Sequence, residues 1–339
     1  MATMKEIAEL SGVSRGTVDR VLNHRGIVNA ETERKVLEIA KLLDYQPNKA
    51  GIALAAQKKK LKIGVLLFGA ENPFFDEAMD GLRQKLEELS IYGCTVIERR
   101  ISFDLQSQLQ TIDELLKEEI HGLILSPYND PAIQEKIDLL WENGIPCITI
   151  NTDMPDSKRI AYVGSDYHKC GQTAAGLLHL FSGDYASVGI VTGSHNVLCH
   201  EERISGFTSH LHTKHPNIRI VDVVENGDDD YKSYEVVSDL LDRHPDLSAL
   251  YFTAAGVYGG CRAVLNASLQ RPLKIITFDA VLSTCEMIRN GVISATICQQ
   301  PDEQGARSLS LLVDYLLTGK LPENRCIYMD LSIKIAENL

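Results

Sequence analysis

Apolar positions in the first 47 residues recur every three to four residues, whereas beyond Leu61 they gather into short runs separated by amphipathic stretches. At the start, Thr3 and Glu6 have capping-box spacing, Ile7 and Leu10 share one face, and Ser11-Gly12-Val13 reads as a tight turn. Ser14 then caps a second helix that turns Val18, Val21 and Leu22 inward and leaves Arg15, Gly16, Asp19 and Arg20 outward. Asn29 opens a third helix carrying Val36, Leu37, Ile39, Ala40 and Leu43, which Pro47 stops. Residues 48–57 form an alanine-rich segment followed by Lys58, Lys59 and Lys60. About ten residues make a marginal helix in water, and Gly51 costs roughly 1 kcal/mol relative to alanine, so this segment is expected to fold conditionally.

After Leu61 the pattern predicts strands at 62–69, 94–100, 122–126 and 147–151, alternating with helices near 73–90, 105–119 and 131–143. The rhythm then repeats, with strands at 187–192, 218–224, 249–253 and 274–279 and helices near 200–215, 231–243, 256–268 and 283–290. Two runs of βα units imply two doubly wound lobes with mainly parallel sheets. The expected architecture is therefore an all-α helix-turn-helix head on an α/β body, with a ligand cleft beyond the carboxyl ends of the strands.

Charge sharpens this division. The chain carries a net charge of −12, yet its first 62 residues hold 12 Lys and Arg against 7 Asp and Glu, and the remainder 22 against 39. A basic head on an acidic body is the asymmetry expected when the head alone meets phosphate. Arginines early in the second helix of such a head can grip the O6/N7 edge of guanine. Eight cysteines without a C-x-x-C pair fit reduced thiols in a cytoplasmic protein. No apolar run approaches the roughly 20 residues of a membrane span, so no membrane partner is expected.

Candidate ligand-binding residues fall just after strands: Asn72, Phe74 and Phe75, then Asn151, Thr152 and Asp153, then Asp279 and Gln299. Aromatic faces suit the C–H surfaces of a sugar, and carboxylates and amides suit its hydroxyls. Asp153, two residues before Pro155, equally fits a turn. His195, Cys199 and His200 lack a four-ligand zinc spacing and read as a surface loop with scattered imidazoles. Asp228, Asp229 and Asp230 lack the spacing of a calcium loop and read as a solvated turn before a helix. Gly256, Gly259 and Gly260 do not make a dinucleotide fingerprint, and no nucleophile, base and orienter stand together. No metal, cofactor or enzymatic activity is expected.

The block V-S-x-x-T-V-x-R-V-L-N from Val13 to Asn23, with Tyr45, Pro47 and Asn48, a hinge pattern ending at Leu54 and N-P-F-F from Asn72 to Phe75, resembles the lactose-repressor/galactose-repressor family. The resemblance spans essentially the whole chain, and its lobes are similar to the ribose-binding type of periplasmic sugar-binding fold (type I periplasmic-binding-protein-like). It implies DNA contacts from Ser14, Arg15, Gly16, Thr17, Asp19, Arg20 and Asn23 in the head and from Asn48, Ala53 and Leu54 in the hinge, with Leu54 as a minor-groove wedge. It also assigns Arg203, in R-x-x-G-F, and Asp279 and Gln299 to sugar-binding positions. The chain departs from the pattern at Asn151-Thr152, where ribose binders have Asp-Arg, and at Ala255-Gly256, where the family often has Asn-Asp.

The division implied is a head at 1–47, a hinge helix and linker at 48–60, and an effector-binding and dimerisation domain at 61–339. Within the last, the N-lobe is expected at about 61–164 plus 297–323 and the C-lobe at about 165–294 plus 326–339. The expected function is a homodimeric repressor whose grip on double-stranded operator DNA is controlled by a small polar effector, a sugar or sugar derivative. The alternatives are a solute-binding protein of a transport system, which calls for an export signal and no basic head, and a cytoplasmic α/β enzyme.

Overall fold

The computed structural model describes residues 2–22, 28–43, 45, 56–57, 59–69, 72–195 and 197–339. Asn23, Asn48, Ala53 and Leu54 fall outside these, as do Pro47 and most of the expected hinge.

The head begins with α1 (Met4–Ser11), α2 (Arg15–Leu22) and α3 (Ala30–Leu42). Glu6 accepts the Thr3 N–H at 2.7 Å and Thr3 Oγ1 accepts the Glu6 N–H at 3.3 Å, closing the capping box. Gly12, at φ 71°, ends α1 in a left-handed conformation that glycine adopts without a steric cost. Ser14 Oγ accepts the Thr17 N–H at 3.1 Å and opens α2. Ile7, Val18, Val21, Val36 and Ala40 fill the small core. Leu10 and Leu37, expected inside, are exposed. In α1 the inner position falls instead to Ser11, whose hydroxyl donates to the Ile7 carbonyl at 2.5 Å and is thereby buried without an unmet donor.

The body holds two parallel-sheet α/β lobes. The N-lobe contains β1 (Lys62–Phe68), α4 (Pro73–Glu88), β2 (Thr95–Ile101), α5 (Leu105–Lys117), β3 (Gly122–Leu125), α6 (Pro131–Glu142), β4 (Cys147–Ile150) and β5 (Ala161–Gly164). The C-lobe contains α7 (Tyr167–Ser182), β6 (Ala186–Thr192), α8 (Leu198–Lys214), β7 (Ile218–Glu225), α9 (Asp230–Arg243), β8 (Ala249–Phe252), α10 (Val257–Asn266), β9 (Lys274–Phe278), α11 (Leu282–Arg289) and β10 (Ala295–Cys298). The chain then returns to the N-lobe with α12 (Pro301–Thr318) and β11 (Cys326–Tyr328), and ends in the C-lobe with β12 (Ser332–Lys334). The sheet orders are β11-β5-β4-β3-β1-β2 and β12-β10-β9-β8-β6-β7, with β12 antiparallel to β10. Central strands are buried on both faces, as parallel sheets between helical layers require.

This pairing corrects the expected lobe boundaries. Residues 297–298, placed in the N-lobe, complete β10 beside β9, because the chain crosses only after that strand ends. Residues 326–328, placed in the C-lobe, close the edge of the N-lobe sheet beside β5 before the last crossing. The lobes are thus joined by three crossings: β5 to α7, β10 to α12 and β11 to β12.

Helix spacing in both lobes depends on glycine. A Cβ at Gly171 or Gly206 would overlap the backbone carbonyl of Arg203 or His168, so α7 and α8 pack in backbone contact. In the N-lobe, Gly81 and Gly305 do the same for α4 and α12 against the carbonyls of Asp302 and Ala78.

Candidate effector cavity and nucleic-acid interface

Strand ends from both lobes converge on a cavity of about 780 Å³. On the N-lobe side, the turn after β1 places Asn72 as the cap of α4, its Oδ1 accepting the Phe74 N–H at 3.0 Å. This brings the buried rings of Phe74 and Phe75 to the wall, 5.2 Å apart and edge to face. Phe68 and Phe103 extend the aromatic surface, with centroids 4.7 Å apart. Asn151 follows β4 at φ 65° and Asp279 follows β9 at φ 62°, both in the left-handed region that Asn and Asp enter more readily than most residues.

On the C-lobe side, Arg203 emerges from α8 and is nearly fully buried. Its Nη1 donates to the Thr253 carbonyl at 2.5 Å and its Nη2 to Gln299 Oε1 at 2.6 Å. Its guanidinium lies 3.8 Å from the Phe278 ring centre and 4.8 Å from that of Tyr167. Gln299 passes the chain on, its Nε2 donating to both Asp279 oxygens at 3.0 and 2.9 Å. Burial pushes the Asp279 carboxyl up to about 6, against the opposing pull of Arg203 and Gln299. Arg203, Gln299 and Asp279 therefore form one aligned set of donors and acceptors suited to hydroxyl groups.

Of the effector residues expected from the sequence, Asn72, Phe74, Phe75, Asn151, Thr152, Arg203, Asp279 and Gln299 all line this cavity. Asp153 does not. It faces Arg159, with Oδ1 2.5 Å from Nε and Oδ2 2.5 Å from Nη2, and accepts the Thr149 hydroxyl at 2.7 Å. The turn into Met154 directs Asp153 to the buried Arg159, whose charge it neutralises. The 195–200 segment is also not uniformly surface: His195 is exposed beside Glu201 and Glu225, whereas Cys199 and His200 are buried at the cavity wall. Burial lowers the His200 pKa, keeping it neutral. Asp228, Asp229 and Asp230 are exposed as expected of a turn, yet they too line the cavity. Ser126 was legible by its place directly after β3, Phe103 by its place two residues after β2, and Asp228 by its place near the end of β7. Among the described residues, no group of three or more His, Cys, Asp or Glu is placed to hold a metal ion.

In the head, Ser14, Arg15, Gly16 and Arg20 are exposed, and Thr17 and Asp19 half-buried. Arg20 folds back along α2, its Nε donating to the Gly16 carbonyl at 3.3 Å and its Nη2 to Thr17 Oγ1 at 3.4 Å. Tyr45 stands near this surface: burial and Asp19 raise its pKa while Arg15 lowers it. Asn23, Asn48, Ala53 and Leu54 lie outside the described residues. No described helix is long and apolar enough to cross a membrane.

These features define a two-lobed binding protein that carries a helix-turn-helix head. Residues 63–321 match the periplasmic binding protein domain, and residues 3–48 match the bacterial regulatory proteins of the lacI family. Catabolite control protein A of Staphylococcus aureus strain MRSA252 is 26% identical over 95% of this chain and 94% of its own length. The HTH-type transcriptional regulator MalR of Clostridium butyricum is 28% identical over 96% of each chain. The ribose import binding protein RbsB of Bacillus subtilis strain 168 is 26% identical over 78% of this chain and 85% of its own. The fold of the body is shared with a glucose-galactose binding protein from Geobacillus stearothermophilus, at a TM-score of 0.75 and 24% identity over 83% of this chain and 99% of that one. The chain belongs to the lacI family of bacterial regulatory proteins and has a periplasmic binding protein domain as its body; it is a DNA-binding transcription regulator.

Proposed function

We propose that the protein works in the cytoplasm as a homodimeric repressor, reading a two-fold operator through α2 and binding a sugar or sugar derivative between its lobes. A two-fold dimer presents two reading helices to two half-sites about one helical turn apart. Arg15, Gly16 and Arg20 are the base-reading residues in this account, and Asp19 holds Arg15 in its reading rotamer or accepts a hydrogen bond from a cytosine amine. Ser14, Thr17, Asn23 and the hinge residues Asn48, Ala53 and Leu54 complete the DNA contacts. In the cavity, Arg203, Gln299 and Asp279 take hydroxyls, Asn72, Asn151 and Thr152 face them from the N-lobe, and the phenylalanines cover the apolar face of the ring.

The observation that carries this reading is the joining, in one chain, of a basic helix-turn-helix head to a cavity where the Arg203–Gln299–Asp279 chain faces an aromatic wall. The names of the regulator relatives and of the ribose import protein support it. Closure around a ligand need supply only about 1–3 kcal/mol of coupling to change operator occupancy five- to 150-fold.

The test is selection of binding sites from random double-stranded DNA by the full chain, followed by titration of the selected site with sugars and polyols. A palindromic consensus, bound at two chains per site and with affinity altered by a sugar recovered unchanged, is expected. An enriched site lacking two-fold symmetry would argue against the dimeric reader, and conversion of the sugar would favour an enzyme.

A further inference from the structure

The two walls of the cavity differ in charge. The N-lobe wall offers the rings of Phe68, Phe74, Phe75 and Phe103 together with neutral polar groups, and no charged side chain among the described lining residues. Every charge belongs to the C-lobe wall, where Arg203 is the one cation among the described lining residues and faces four carboxylates: Asp228, Asp229, Asp230 and Asp279. Arg203 is matched by Asp279 through Gln299. This leaves the loop at 228–230 without a cationic counterpart in the lining, and the residues outside the described set beside lining stretches, Ala70, Glu71 and Asn196, include no base. Two further cations stand near the cavity without entering its lining. Arg100, 5.7 Å from the Phe75 ring centre, is paired with Asp76 at 3.1 Å. Lys232 is outside the lining; its Nζ reaches to 3.7 Å from where a Cβ on Gly227 would stand, and it offers the 228–230 carboxylates a partial counter-charge from behind the loop, not from the cavity side.

The three aspartates are fixed in place. Asp228 Oδ1 accepts the Ala255 N–H at 2.9 Å, Asp229 Oδ1 the Lys232 N–H at 2.7 Å and Asp230 Oδ1 the Gly259 N–H at 2.9 Å. A carboxylate has about four acceptor sites, so each can take a further donor. Three polar atoms on lining residues, Ser126 Oγ, Thr152 Oγ1 and Arg203 Nε, are buried behind this surface without a protein partner.

We propose that the effector is a sugar or polyol bearing a protonated amine, the ammonium lying between the 228–230 carboxylates and the aromatic wall, and that phosphorylated sugars are excluded. The inference rests on the reading of this cavity as a carbohydrate site. An ammonium gains from both surfaces, by charge pairing on one side and cation–π attraction on the other, whereas a phosphate meets carboxylates and ring faces of the same electrostatic sign.

The probes are glucosamine, galactosamine and mannosamine, each beside its neutral hexose, its N-acetyl derivative and its 6-phosphate, titrated calorimetrically into the full chain at pH 7. At least one free amine is expected to bind ten-fold or more tightly than its neutral counterpart, with the 6-phosphate weakest of its set. That advantage should shrink to two-fold or less in Asp228→Asn and Asp229→Asn, with the unliganded melting temperature showing that each variant is folded. Equal or tighter binding of a neutral hexose or a 6-phosphate would overturn the inference and leave the carbohydrate reading standing. Failure of every compound to bind would overturn this inference, and the carbohydrate reading would then stand or fall on the wider titration with sugars and polyols.

Discussion

Asp279 combines a left-handed backbone, two hydrogen bonds from Gln299 and a carboxyl pushed up to about 6 by burial. Its raised pKa means that folding prefers the protonated form. The associated stability is complete below the ordinary carboxylate pKa near 4 and is lost as pH rises through about 6. Cavity water limits the cost of holding the ionised group in the empty protein to on the order of 1–2 kcal/mol. Asp279→Asn should therefore melt higher than the parent at pH 7.5, with the gap closing as pH falls to 4.5, while responding less to the effector. Melting curves of both proteins across that range check this, and parallel pH profiles would show that the Asp279 charge costs the fold nothing. Asp153, its apparent twin in the sequence, has no such role because it neutralises buried Arg159.

At the scale of elements, Arg203 is placed by the meeting of α7 with α8. Gly171 sits against the Arg203 carbonyl and Gly206 against that of His168, so one added methyl must separate the helices. Gly206→Ala should destabilise the protein by about 1–3 kcal/mol and weaken effector binding at least ten-fold, because the α8 segment that carries Arg203 moves with it. Denaturant unfolding and calorimetry give both quantities; a loss of stability with intact binding would mean that α8 shifts without carrying Arg203. The main strands and most of the helices that build this frame were legible, since apolar runs such as 62–68 and 249–252 stand between clear turn signals. The short β5, β11 and β12 were not, because they fall outside the regular alternation of strand and helix, and β11 and β12 are defined by the edge each completes. The cavity was legible where residues follow strands directly. It was not at Cys199 and His200, whose places depend on how α8 turns in three dimensions.

For the whole molecule, the three crossings mean that neither lobe is one stretch of chain. The final residues supply β11 to the edge of one sheet and β12 to the edge of the other. Removing residues 325–339 should therefore damage both lobes together, abolishing effector binding, with no stable single-lobe species on proteolysis. Limited digestion and circular dichroism of the shortened chain test this; a protease-resistant fragment comprising one intact lobe would show that the lobes fold separately. The same interlacing governs what recombination can do with such a gene. The body's first strand begins only at Lys62, so a single exchange near residue 60 delivers head and hinge together onto an unchanged body. A single exchange inside the body always splits a lobe between two parents. Descendants of this architecture can trade the DNA they read as a cassette, while their ligand must change by point substitution within the cavity.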